Sequence, residues 1–215
     1  MRNAILSAAA IAVSFSASAA EADRTASAHT VSSSGDPHVL IHVPDDARYV
    51  GSDRFTLAKP DIGDFDVCEL FAFANADPSG SLRQFYWVQF EQYLPGHPEL
   101  HYTYDSPRHV TIGGLDFFVD IDASDGTRTP TPGSDGEHFY NLLAAHGYKR
   151  APMMFLRLVH LPDAAKRKEL MIIVGKRLPA GVTASSLKEG GADAARWPAL
   201  QNELLDWAVR KVVIE

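Results

Sequence analysis

The densest group of metal-capable side chains in this chain is His97-Pro98-Glu99-Leu100-His101, with Asp105 close behind it. Two imidazoles and a carboxylate suit a zinc-type ion that keeps one position open, the donor set of a metal-dependent hydrolase. The surrounding Pro95, Gly96 and Pro98 place the group in a loop. There the His-x-Glu-x-His spacing does not hold both rings on one face, as an i, i+4 spacing on a helix would. A divalent-metal site is therefore weighed against an exposed polar loop.

A second candidate is Arg157, which interrupts the most apolar run in the chain, Met153–Leu161. A guanidinium in such a run must find acceptors or reach water. An ion pair to Asp116 or Asp120 satisfies it, and so does a ligand carboxylate or phosphate. Trp87, Tyr93, Tyr102 and Tyr104 have the residue types of a groove for a flat ligand, although aromatics on an antiparallel sheet also serve as core and cross-strand pairs.

Other chemistry is thinly represented. Asp120 to Gly126 begins like a calcium loop, but Asp125 stands where that loop needs glycine and Thr131 where it needs a bidentate glutamate. Cys68 is the only cysteine, so no intramolecular disulfide forms, and its alternating surroundings suggest a buried, inert thiol. Gly-x-Ser-x-Gly, His-Glu-x-x-His, Cys-x-x-Cys and phosphate-cradling glycine loops are all missing from the sequence.

The elements that must position these residues centre on two apolar runs, Met153–Leu161 and Leu170–Val174, joined by a short charged connector. So short a connector demands an antiparallel hairpin. Met154, Leu156 and Leu158 fall on one face of its first arm, and Met153, Phe155 and Val159 on the other. A strand apolar on both faces is covered on both faces, so this hairpin, about 153–177, belongs at the centre of a sheet. Upstream, strands are expected near 38–43, 54–59, 67–74 and 82–94, and Gly113-Gly114 marks a tight hairpin. Along 82–94, Tyr86, Val88 and Phe90 share one face. Phe85, Trp87, Gln89, Glu91 and Tyr93 share the other, a mixture that suits a pocket wall. Lys166-Arg167-Lys168 reads as a solvated hairpin tip.

Two helices are expected late in the chain. Ser134 with Glu137 forms a capping-box pattern and Gly147 is placed to end that helix. Pro198 opens the second, which runs to about Lys211. Together these give an α+β fold, a single antiparallel β-sheet with helices packed on it as a three-layer sandwich.

At the N-terminus, Arg2, an apolar run from Ile5 to Phe15 and Ala17-Ser18-Ala19-Ala20 have the pattern of a secretory signal peptide. Its apolar run is too short to span a bilayer, which needs about 20 residues. The expected organisation is a signal peptide at 1–20, a Ser/Ala/Thr-rich flexible leader at 21–37, and one domain at 38–215, in the periplasm or secreted. The net charge of −7, without a basic face, argues against nucleic acid as a partner.

The order of elements over roughly 49–214, from Phe55-Thr56-Leu57-Ala58-Lys59-Pro60 through the meander and hairpin to the closing helix, resembles the Mog1/PsbP-like α-β-α sandwich. The phrases Thr111-Ile112-Gly113-Gly114, Lys166–Ile173 and Arg196-Trp197-Pro198 resemble exported bacterial proteins of unknown function. The sandwich resemblance implies a non-catalytic binding or assembly role. The expectation is thus an exported soluble binding domain without a cofactor, whose partner is an envelope protein or a small molecule. A metal-dependent hydrolase using His97, Glu99 and His101 is the alternative.

Overall fold

The computed structural model describes residues 24–215; the expected signal peptide lies outside them. Among the described residues, eleven strands and two α-helices form two antiparallel sheets. This overturns the α+β expectation of one sheet sandwiched by helices. The residues expected as a flexible leader account for part of the difference. Within 24–37, β1 (Arg24–Ser27) and β2 (Thr30–Ser33) form a hairpin. It extends through β3 (Val39–His42) to the C-terminal β11 (Val213–Ile214), giving a four-stranded sheet. In β2 only Val31 and Ser33 are buried, so a single apolar residue was the whole sequence signal for that strand. Arg24 anchors the hairpin by pairing with Glu69 at 3.2 Å and lying 4.3 Å over the Phe90 ring.

The second sheet has seven strands in the order β4-β5-β6-β10-β9-β8-β7. These are β4 (Arg48–Lys59), β5 (Gly63–Ala76), β6 (Leu82–Tyr93), β7 (His109–Ile112), β8 (Leu115–Ser124), β9 (Met153–His160) and β10 (Lys168–Arg177). The β9-β10 hairpin occupies its middle, with β6 and β8 pairing on either side. Gly113, at φ +58° in the β7-β8 turn, lies against the Ile214 carbonyl, so a side chain there would strike the small sheet.

Each face of the large sheet has its own core. Tyr86, Val88, Phe90, Leu156, Leu158, Leu170 and Ile172 pack beneath the small sheet and α2 (Trp197–Lys211), which contributes Leu200, Leu204 and Ala208. On the opposite face, Phe85, Trp87, Met153, Val159 and Met171 pack with α1 (Asp135–Ala145), through Phe139 and Leu143. Ser134 caps α1 by accepting from the Glu137 amide. Glu137 accepts in return from Gly133 rather than from Ser134, a capping box displaced by one residue. Gly147, at φ +79°, follows the helix end.

Gly175 of β10 faces Phe85 in the adjacent β6 register, and a Cβ at Gly175 would stand 2.1 Å from the Phe85 ring. Phe85 is 2% exposed and packs 5.0 Å from Phe139, so it has nowhere to go. Gly175→Ala should therefore destabilise the fold by about 1–3 kcal/mol. Urea denaturation checks this, and an unchanged midpoint would show that the Phe85 contact is not as tight as described.

Candidate functional site

The α1 face of the large sheet carries two neighbouring features, an open pocket and a buried acidic row. The pocket, of about 460 Å³, has Phe85, Trp87, Phe155, Ile173 and Tyr140 as walls, and Asp120, Asp122, Asp135 and Arg157 as its charged groups. That volume is within the range of small-molecule sites, roughly 300–1,000 Å³. Alternation along β6, β9 and β10 delivers Trp87, Arg157 and Ile173 side by side, because Ile173 is the cross-strand partner of both. Asp120, opposite Arg157 on β8, accepts from its Nη2 at 2.6 Å. Trp87 stacks on Phe139 at 4.5 Å, which fixes the indole plane. Arg157 thus has a paired acid and also opens onto a pocket.

The acidic row lies one step further along the same strands. Glu91 on β6 is the register partner of both Cys68 on β5 and Glu169 on β10, and Asp66 sits two residues before Cys68 on the same face. Asp66, Cys68 and Glu169 are almost wholly buried. Glu91 keeps partial exposure as a residue, while its carboxyl is enclosed. A polar relay ties the row to the pocket wall: Trp87 Nε1 donates to Gln89 Oε1 at 2.7 Å, and Gln89 Nε2 donates to Glu91 Oε1 at 2.6 Å. Gln89 itself is fully buried.

Burial governs the titration of this row. It raises Asp66 to about 6, against opposing hydrogen bonding from Tyr102. It raises Glu169 to about 7, against Tyr104 and Arg157. Glu91 is pushed well above the ordinary carboxylate range by burial first and by the facing Glu169 second. Burial and the surrounding carboxylates likewise hold Cys68 far above the usual thiol range, so without a bound cation the thiol stays protonated and unreactive.

A lid of irregular chain covers the row. The Tyr102 hydroxyl donates to Asp66 Oδ2 at 2.7 Å, and the Tyr104 hydroxyl donates to Glu169 Oε2. Tyr102 stacks on Tyr93 at 4.3 Å. Of the four residues expected to form one aromatic groove, only Trp87 lines the pocket, together with the separate candidate Arg157; Tyr93, Tyr102 and Tyr104 lie by the acids instead. Tyr104 connects the two sets, lying 5.5 Å from the Arg157 guanidinium.

Arg167 holds this lid in place, which corrects its reading as part of a solvated tip. Its guanidinium donates to the carbonyls of His97, Leu100 and Leu94 at 2.6, 2.7 and 2.9 Å. The loop carrying His97, Glu99 and His101 is thus clamped to the β9-β10 turn. His97 Nε2 bonds the Asp64 carbonyl at 2.9 Å, with its Nδ1 3.7 Å from Glu99 Oε1. His101 Nδ1 bonds the Glu99 carbonyl. Among the described residues, the one group of three or more metal-capable side chains within 4.8 Å is Asp66, Cys68 and Glu91, without these histidines.

The acidic row escaped sequence reasoning because its members are scattered over residues 66–169 and meet only through strand register. The available signal was parity: Gln89 and Glu91 share the Trp87 face, and Glu169 shares the Met171 face. No helix among the described residues is long and apolar enough to cross a membrane.

In an unfolded chain these carboxyls titrate near 4. Between that value and the folded values of about 6 for Asp66 and about 7 for Glu169, the native state retains protons that the unfolded chain has released. Stability should therefore fall as pH rises from about 4 to about 7. In buffer containing chelator, the denaturation midpoint at pH 5 should exceed that at pH 7.5, and Glu169→Gln should flatten the dependence; a midpoint that rises with pH would contradict the raised values. Arg167→Met should cost about 2–3 kcal/mol through loss of charge-assisted hydrogen bonds and speed amide exchange across 97–104. Exchange confined to other segments would show that the clamp does not hold the lid. No protein-family model, curated protein or solved structure matches the chain, so its functional reading rests on the chemistry of these residues.

Proposed function

We propose that this chain is an exported, soluble binding domain that takes a small organic cation with an apolar body into the pocket beside Trp87 and Arg157. The observation that carries this reading is the pocket's composition. Aromatic and aliphatic walls meet three carboxylates and a single guanidinium, and that guanidinium is already engaged by Asp120. Asp122 and Asp135 remain as excess negative charge at the rim. An amine or quaternary ammonium group gains from that charge and from aromatic faces, whereas a carboxylate or phosphate would compete with Asp120 for Arg157.

The net charge of −7 is consistent with a cationic rather than a nucleic-acid partner. Export is supported by the N-terminal pattern of Arg2, apolar run and small residues. A hydrolase built on His97, Glu99 and His101 gains no support from the geometry, since these three side chains do not bring their ligand atoms within 4.8 Å of one another.

Tryptophan fluorescence titrated with matched pairs of aromatic amines and aromatic carboxylates tests the reading. The amines should bind and the carboxylates should not. Asp122→Asn and Asp135→Asn should each weaken amine binding by about threefold to tenfold, as expected for losing a partly exposed charge contact. Equal binding of both ligand classes, or of neither, would remove the proposal.

A further inference from the structure

Apart from the pocket, we propose that Asp66, Cys68 and Glu91 form a binding site for a divalent transition-metal cation of zinc-like character. The three side chains place their ligand atoms within 4.8 Å of one another. Ligands of a tetrahedral zinc-type ion stand about 3.5 Å apart, given metal–oxygen and metal–sulfur distances near 2.0–2.3 Å. A small side-chain adjustment closes that difference. Two carboxylates with one thiolate favour a borderline ion over calcium or magnesium, which take oxygen alone.

A separate observation points to a ligand here. Asp66 is 1% exposed; its Oδ2 accepts from Tyr102, while its Oδ1 is enclosed with no well-aligned donor, the nearby Gln92 and Val67 backbone N–H groups acting only weakly on the carboxyl. An enclosed carboxylate oxygen without a donor is costly, and a cation bound to it removes that cost.

The surroundings match how metal-binding carboxylates are held. Tyr102 donates to one oxygen of Asp66, and Gln89, steadied by Trp87, donates to one oxygen of Glu91. Each carboxyl is thereby oriented by a neutral donor, and in Asp66 the other oxygen is left for an ion. Among the described residues, no Lys, Arg or His forms a salt bridge with Asp66 or Glu91. Arg167, close enough to act on Asp66 electrostatically, spends its donors on carbonyls.

Binding breaks the S–H bond of Cys68, forms a metal–sulfur bond and releases the proton to solvent, so affinity rises with pH. Any proton held by the carboxyls leaves in the same way. No electron transfer is involved.

The test uses the full chain without its N-terminal 20 residues, dialysed against chelator and titrated with Co²⁺ and then Zn²⁺. Co²⁺ should bind with about one equivalent and produce the charge-transfer absorption of a cobalt–thiolate bond, which Zn²⁺ should displace. The metal should also raise the melting temperature. Cys68→Ser should abolish the absorption band. Asp66→Asn and Glu91→Gln, which keep side-chain shape, should each weaken binding by about tenfold or more. His97→Ala combined with His101→Ala should change neither band nor affinity. Wild-type protein that remains folded yet shows no thiolate band would overturn the proposal, whatever the variants do. So would a band lost only when His97 and His101 are replaced.

Discussion

A sheet that is apolar on both faces must be covered on both, and the rest of this molecule follows from that constraint. In β10, Leu170, Ile172 and Val174 point one way, and Glu169, Met171 and Ile173 the other. β6 repeats the arrangement with Tyr86, Val88 and Phe90 against Phe85, Trp87 and Gln89. One face is closed by the four-stranded sheet and α2, the other by α1 and the loop that carries Tyr102 and Tyr104. Burying such a side chain contributes about 1.5–3 kcal/mol, so each cover is stabilised by many contacts. This explains why even the short hairpin of β1 and β2 is drawn into the structure.

The two faces differ in kind. The one beneath the small sheet is predominantly apolar and serves stability. The α1 face grades from aromatic residues at Phe85 and Trp87, through Gln89, to carboxyls at Glu91, Glu169 and Asp66. Burying three acids in one row opposes folding unless protons or a cation neutralise them. The fold meets this with neutral donors, two tyrosines and a glutamine, while Arg167, the guanidinium acting on Asp66, spends its donors on the lid. Carboxyls so strongly perturbed by burial make the row a candidate functional site.

Much of the architecture was legible in local pattern. The two-faced apolarity of 153–177 placed that hairpin mid-sheet, and the odd-even split of 82–94 separated core from pocket wall. Ser134 and Pro198 marked the helix starts to within a residue. The number of sheets was not legible. Val31 and Ser33 are too few to announce a strand, and β11 is two residues long; both exist because distant partners offer hydrogen bonds and cover.

The candidate sites divide along the same line. Sequence alone determined that Arg157 needed acceptors or water and that Trp87 stood on a mixed face, because both follow from the alternation of a single strand. It also gathered His97, Glu99 and His101, neighbours along the chain whose rings the fold turns to main-chain carbonyls. Only the tertiary structure brought Asp66, Cys68, Glu91 and Glu169 together. Their meeting depends on the register between β5, β6 and β10, where a slip of one residue would turn each onto the opposite face. Register is set by the burial of whole strands, and that information is spread across the chain rather than held near any one acid.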